Sequence, residues 1–246
     1  MSESKTALIT GAGSGIGAET AALLIARGYR VVAAGRREDR LAALSAKLGE
    51  DKCAPVTLDV ADAASVRSLP DRLPRNWGPV DVLINSAGHD VGGRVRYDLG
   101  AMEDWESTIE VNLVGAMRVT RVFLPSMMER KRGDIVMVSS LSARRAAPTV
   151  AAYTASKFGM HGFTEALRAD FKGSALRVTE IQLGPARTEF AEARWRGDKD
   201  RAEAFYNSLS GYLQPEDVAQ SIVWALDQPP GVTIGEIVVM PTGMAL

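Results

Sequence analysis

Seven short runs of this chain are rich in β-forming, mostly apolar residues: Thr6–Thr10, Arg30–Ala34, Cys53–Leu58, Val80–Asn85, Asp134–Ser139, Arg177–Leu183 and Glu236–Met240. Within them, ALIT, VVAA, VDVLIN and DIVMVS are apolar at successive positions instead of alternating, as expected of a parallel strand covered on both faces. The longer segments between them read as helices. Strands buried on both faces and joined through helices specify an α/β chain with a Rossmann-type, doubly wound sheet of seven mainly parallel strands and helices on both faces. Ligands of such sheets bind beyond the carboxyl ends of the strands, so the residues there are the candidates for function. With 246 residues and 46% hydrophobic content, and no repeat or linker to divide it, the chain is expected to form one domain over residues 1–246.

The first strand runs straight into Thr10-Gly11-Ala12-Gly13-Ser14-Gly15-Ile16-Gly17, and a helical pattern follows over Ala18–Arg27. Missing side chains at a strand-to-helix turn let the backbone approach a diphosphate, while the helix N-terminus supplies amide donors and positive dipole. Gly11, Gly13, Ser14, Gly15, Ile16 and Gly17 are therefore the expected pyrophosphate cradle; a tight turn alone would explain one or two of these glycines. An NAD site usually carries an acidic residue at the end of the second strand, roughly 20 positions further on. Here that place holds Gly35, followed by Arg36 and Arg37. The missing carboxylate leaves room for a 2′-phosphate, and guanidinium groups bind phosphate oxygens in bidentate fashion, so NADP(H) is the expected cofactor. Whether Arg36 alone or both arginines hold the phosphate stays open. Asp59 and Val60 after the third strand, and Asn85, Ala87 and Gly88 after the fourth, fall where the adenine and its ribose should lie; turn chemistry is the competing reading for both.

The fifth strand ends at Ser139-Ser140, and Tyr153 and Lys157 of YTASK stand four apart on one face of the helix that follows. A phenol titrates near ~10, and an ammonium one turn away favours its ionised form. Tyr153 is thus a candidate proton carrier, Ser140 a donor to the substrate oxygen, and Lys157 a second donor toward the nicotinamide ribose. Other classes are disfavoured. Twenty-nine basic against thirty acidic residues give a net charge of -1, with no field to draw nucleic acid or an anionic membrane. The single cysteine, Cys53, excludes an intramolecular disulfide and a CxxC site. No apolar run approaches the roughly 20 residues of a membrane span, and no leader precedes the first strand, so a cytoplasmic setting is expected. His89 and His161 have no partners at metal-ligand spacing, and no metal is expected.

Taken together, TGAGSGIG, NSAG, Asn112 in EVNLVG, Ser140 and YTASK resemble the short-chain dehydrogenase/reductase family over essentially the whole chain. The resemblance implies that Tyr153 is the general acid–base, Lys157 its pKa-lowering and ribose-binding partner, Ser140 the carbonyl polariser, and Asn112 a helix-distorting residue that anchors a proton-relay water. Within the family, GRREDRLAAL, EDWESTIEVN, GPARTEF, RWRGDKDRAEAFY and VVMPT are similar to the NADP-dependent 3-hydroxy acid (serine and allothreonine) dehydrogenases, with sulfoacetaldehyde and clavaldehyde reductases nearby. That likeness places Gly184 and Thr188 beside the nicotinamide. It also implies a homotetramer or homodimer, built on the helix from Met102 to Met128 and the helix after Tyr153. Ser86 and Leu183 stand where the family usually has Asn and Pro, and Ser142-Ala143-Arg144-Arg145 is unusual after the catalytic serine.

Arginines gather in the segments expected to border the pocket: Arg94, Arg96, Arg144, Arg145, Arg187, Arg194 and Arg196. Their forks suit a carboxylate or sulfonate, so a small anionic alcohol or aldehyde is the expected substrate, with Arg144, Arg145 and Arg187 as the candidate contacts. A surface or subunit-contact cation is the alternative for any one of them. The charged stretch 188–213 reads as a lid, or else as a solvated surface helix. Two further functional readings stand beside the main one: a reductase of a bulkier neutral or acyl-thioester ketone, and a protein that senses NADP(H) without turnover. The complete Ser140, Tyr153 and Lys157 set argues against the sensor.

Overall fold

The computed structural model describes residues 4–244. Seven strands form one wholly parallel sheet: β1 (Thr6–Thr10), β2 (Arg30–Gly35), β3 (Cys53–Thr57), β4 (Val80–Asn85), β5 (Gly133–Val138), β6 (Leu176–Leu183) and β7 (Glu236–Val239). Every expected strand is present, with ends displaced by at most one residue. The spatial order is β3-β2-β1-β4-β5-β6-β7, so the winding reverses between β1 and β4. That reversal leaves a crevice at the carboxyl ends of the central strands.

Side-chain alternation divides each central strand between two cores. Ala7 and Ile9 of β1, with Val82 and Ile84 of β4, pack on α1 (Gly15–Ala26) and α9 (Pro215–Leu226) through Leu24, Val218 and Ile222. Leu8 and Leu83 point the other way. There they meet Val119, Phe123 and Met127 of α5 (Ala116–Glu129) and Met160 and Leu167 of α6 (Ala151–Asp170). Both faces are apolar because both are covered, which is why these runs do not alternate. The remaining helices are α2 (Glu38–Leu48), α3 (Ala63–Arg67), α4 (Met102–Ile109), α7 (Phe190–Arg194) and α8 (Lys199–Asn207). None among the described residues is long and apolar enough to cross a membrane. Cys53 is buried, and burial pushes its thiol up to about 11, so it is an inert core residue.

The segment expected to be one helix from Met102 to Met128 is interrupted. Between α4 and α5 lies a π-helical turn, Glu110–Gly115, with Asn112 fully buried at its centre. The wide turn allows the Asn112 amide to leave the helix and bond the main chain of His89 on both sides: Oδ1 accepts from His89 N–H at 2.8 Å and Nδ2 donates to His89 C=O at 2.9 Å. Met127 belongs to the core, whereas Met117 lies on the exposed face of α5.

The glycine turn after β1 is sterically committed. Gly11 has φ +70, and a Cβ there would lie 2.9 Å from the Ala87 backbone beyond β4. Gly28 also has a positive φ, +84, but faces open space. Gly11→Ala is therefore expected to cost ~1–3 kcal/mol of backbone strain plus the displacement of the β4 loop, and to weaken dinucleotide binding. Gly28→Ala should pay strain alone. Thermal unfolding and NADPH titration of the two variants check this; equal behaviour would show that the approach to Ala87 is not required.

Candidate active site

A cleft of about 1180 Å³ opens at the carboxyl ends of the strands, over the point where the winding reverses. This exceeds the ~300–1,000 Å³ of most small-ligand sites and has room for a dinucleotide together with a small substrate. Gly11, Gly13, Ser14, Gly15, Ile16 and Gly17 line one side of it. The helix α1 N-terminus opens onto them, and a Cβ on Gly17 would lie 2.5 Å from the Gly11 carbonyl oxygen, so the turn closes tightly enough to expose its amides. The residues present fit a dinucleotide: backbone donors in the middle, no carboxylate at Gly35, and cations beyond it. Arg36, Arg37 and Arg40 all line this end. Arg37 donates to Ser14 Oγ at 2.7 Å and to Glu189 at 2.6 Å, and Arg40 lies 3.6 Å from the same Glu189 carboxylate. Arg40 was not singled out from sequence. It stands one helical turn after Arg37 on α2, a spacing that could have found it.

Asp59, Val60, Ala87 and Gly88 also line the cleft. Asn85 does not. Its amide turns into the core and donates to Thr120 Oγ1 at 3.1 Å, so the expectation that it contacts the adenine side is corrected; it ties β4 to α5, and Ser86 takes its place on the wall. Gly184 and Thr188 line the cleft as well, and a Cβ on Gly15 would meet the Thr188 methyl at 3.1 Å.

At the floor, Ser140, Tyr153 and Lys157 come together. Lys157 is buried beneath the Tyr153 ring, its Nζ 5.7 Å from the ring centroid and donating to the Val138 carbonyl at 3.0 Å. Burial lowers its pKa to about 8, with the nearby Glu180 carboxylate pulling the other way. Burial pushes the Tyr153 phenol up to about 12; the Ser140 hydroxyl that bonds it lowers it, Asp90 raises it and Arg194 lowers it. The sequence led us to expect Lys157 to depress this phenol. In the open cleft burial outweighs the Ser140 hydrogen bond and the Arg194 charge that lower it. Asn112 joins the constellation from the π-helical turn, donating to Ser156 Oγ at 3.1 Å. A Cβ on Gly88 would fall 3.1 Å from Asn112 Oδ1 and 4.0 Å from Lys157 Nζ, so the missing side chain leaves a gap between the two. His89 lines the cleft beside them. Its Nδ1 accepts from Val91 N–H at 3.3 Å, and burial lowers its pKa, so it is held neutral.

The arginines sort by partner. Arg96 pairs with Asp98, Arg196 with Asp104, and Arg187 with Glu203 at 2.6 Å. Arg187 is also stacked against Tyr206 and Tyr212 and is not part of the cleft wall, so its expected substrate contact is corrected. Arg144 reaches the wall but spends its fork on Gln182 and Glu236, which corrects its candidacy as well. Arg145 lines the cleft with its side chain exposed. Arg94 and Arg194 line it too. The fold brings His161 to Glu180 and Glu236, groups that the sequence could not place together. Arg144 and Arg168 both reach Glu236 there and supply the positive charge that a cation would bring.

The stretch 188–213 leaves and re-enters the fold at one place. Ala186 pairs with Leu213, Leu213 N–H donates to the Pro185 carbonyl at 2.8 Å, and Tyr206 Oη donates to the Thr188 carbonyl at 2.9 Å. Ala191, Ala202 and Tyr206 form a small core of their own with Trp195, Phe205, Leu209 and Tyr212. The excursion is therefore packed, unlike a solvated surface helix.

Comparison with known proteins agrees with this geometry. The chain is 35% identical over 241 residues to a probable NADP-dependent dehydrogenase of Haemophilus influenzae, an alignment covering 98% of this chain and 94% of that one. It is 36% identical over 235 residues to the NADP-dependent 3-hydroxy acid dehydrogenase of Salmonella typhi, covering 95% and 94%. Among solved structures, the closed form of a serine dehydrogenase complexed with NADP+ superposes with a TM-score of 0.94 at 34% identity, covering 98% of this chain and 96% of that one. Residues 5–199 match the model of the short chain dehydrogenase family, and with a cleft of this construction the chain belongs to that family.

Proposed function

We propose that the protein is an NADP(H)-dependent oxidoreductase that interconverts a small 3-hydroxy acid and the corresponding aldehyde or ketone. The observation that carries the reading is the joint placement of Ser140, Tyr153 and Lys157 on the floor of a dinucleotide-sized cleft whose far end holds Arg36, Arg37 and Arg40. The 3-hydroxy acid follows from relatives that act on such compounds and from unpaired positive charge in the cleft. When bound, the nicotinamide supplies the hydride acceptor or donor. Tyr153 Oη takes the proton from the substrate hydroxyl in oxidation and returns it in reduction. Ser140 Oγ donates a hydrogen bond to the same oxygen and polarises it. Lys157 holds the ribose with its ammonium, and Asn112 keeps a proton path open toward Lys157 through the gap at Gly88. Gly184 and Thr188 border the nicotinamide. One catalytic domain, residues 1–246, carries all of this, with 188–213 as its lid. We read the protein as a cytoplasmic homotetramer or homodimer, in which the exposed Met117 of α5 and Phe158 of α6 would be covered by a second copy.

Two outcomes test the reading. Replacing Arg36 and Arg37 together by Gln removes charge-assisted bonds of about 1.5–3 kcal/mol, so the NADPH dissociation constant should rise ~10–100-fold, whereas NADH, lacking the phosphate, should be spared. Equal losses with both dinucleotides would place the 2′-phosphate elsewhere.

The second outcome is a pH dependence. The phenol is neutral across the neutral range because burial raises it, so its proton-accepting form grows about tenfold per pH unit there. The log of kcat/KM for oxidation of L-serine or 3-hydroxypropionate with NADP+ should climb with a slope near one from about pH 6 to 8, while reduction of the matching aldehyde stays flat. Tyr153→Phe should abolish both. A flat oxidation profile, or activity surviving in Tyr153→Phe, would remove Tyr153 from the proton transfer.

A further inference from the structure

Resting on the proposed reading of the cleft, a second cation–carboxylate centre lies beside the proton-transfer residues. Arg194, on α7, is only 7% exposed, yet it is a charged side chain facing a cleft. Its Nε donates to Asp90 Oδ2 at 2.8 Å, and its buried Nη1 has no hydrogen-bond partner. A buried guanidinium N–H left unpaired is costly, and beside a cleft it is a donor available to an acceptor that enters. The surroundings make the cost larger. The guanidinium carbon sits 5.4 Å from the ring centroid of Phe190, 5.4 Å from that of Trp195 and 5.1 Å from that of Phe205. These ring faces attract the cation but accept no conventional hydrogen bond.

Charge in this corner does not balance. Asp90, 5% exposed, faces two guanidinium groups: Arg194, which it bonds, and Arg94, whose pKa burial and Arg194 lower together. One carboxylate against two cations leaves one positive charge at this corner, where Arg194 is desolvated among aromatic rings and Arg94 is exposed to solvent. An incoming monoanion would neutralise it and supply the acceptor Nη1 lacks. The corner is also close to the chemistry. Phe190 contacts both centres, its ring 5.7 Å from that of Tyr153 in an edge-on arrangement while Arg194 lies over it. Asp90 and Arg194 both influence the Tyr153 phenol. The spacing is set by main chain, because Asn112 clamps both sides of His89, the residue before Asp90.

We propose that Arg194, held by Asp90, is the specificity-determining residue that binds the carboxylate of the substrate, placing the hydroxyl-bearing carbon two bonds away at Ser140 and Tyr153. Arg194 is carried by the 188–213 excursion, which its bond to Asp90 already ties to the loop after β4, so the guanidinium is in place before the anion arrives.

The test uses the holoenzyme with 3-hydroxypropionate and its methyl ester, which share the reacting carbon and differ in charge. In the unmodified protein the acid should be preferred in kcat/KM. Arg194→Met should reduce the acid-to-ester ratio ~10–100-fold, chiefly through KM for the acid, and Arg194→Lys should recover part of it. Asp90→Asn, which loosens the clamp, should lower the ratio less. A purely structural Arg194 would depress both substrates alike and leave the ratio unmoved, which would overturn the proposal; so would a ratio unchanged because neither substrate is affected. Binding of butyrate, a non-reacting carboxylate, to the NADPH complex, followed by cofactor fluorescence, separates this proposal from the functional one. Binding lost in Arg194→Met supports the clamp even if no hydroxy acid is turned over. Turnover of hydroxy acids with an intact acid-to-ester ratio in Arg194→Met would leave the function standing and remove the clamp.

Discussion

Burial of an ammonium at the floor of the cleft is the constraint around which the site is arranged. Lys157 has left water and bonds a carbonyl at the end of β5, with the fully buried Glu180 carboxylate behind it. That carboxylate keeps the cost of the buried charge within bounds, and it is itself held by His161 Nδ1 at 2.6 Å and Gln182 Nε2 at 3.1 Å. The ammonium is thus poised, with a pKa of about 8, where its charge responds to whatever enters the cleft. The Tyr153 phenol beside it is pushed the opposite way, and the two groups together are least suited to ionise Tyr153 while the cleft is open. A positive charge beside it, such as an oxidised nicotinamide would bring, would favour the proton-accepting form of the phenol.

The same economy explains the π-helical turn. A regular helix through Glu110–Gly115 would keep the Asn112 amide on its own surface; the wide turn lets it make three bonds at the cleft, two to His89 and one to Ser156. Those three bonds fix the loop after β4, and this loop carries Gly88 toward Lys157 and Asp90 toward Arg194. Proton transfer and anion recognition therefore share one anchor. A change at Asn112 acts on both, and this makes the residue a poor place to look for a selective effect.

The fold was legible because its determinants are local. Continuous apolar runs announce strands covered on both faces, and glycines between strand and helix announce a close backbone approach, as Gly11 makes to Ala87. Ser140, Tyr153 and Lys157 were legible for the same reason: each sits at a fixed offset from a strand end or helix start. Asn85 misled because position at a strand's carboxyl end does not reveal which way an amide turns, and here Thr120 on α5 captured it. The interruption of the helix at Asn112 was visible only through resemblance, since the pattern of apolar residues runs unbroken across it.

The arginines show where sequence reading stops. Seven gather near the pocket rim, the sequence reading singles out Arg144, Arg145 and Arg187 as contacts, and nothing local distinguishes Arg194 from Arg187 or Arg144. What separates them is the carboxylate each one meets. Glu203, Asp98 and Asp104 neutralise Arg187, Arg96 and Arg196 one for one, and Glu236 and Gln182 occupy Arg144. Asp90 meets Arg194 in a buried ion pair, and there one guanidinium nitrogen, Nη1, is left buried without a partner. The two ends of the cleft then carry positive charge of different kinds. At Arg36, Arg37 and Arg40 it is exposed to solvent and suited to a multiply charged phosphate; at Arg194 it is dry, single and fixed, which suits one carboxylate on a substrate too small to bring much else to hold it.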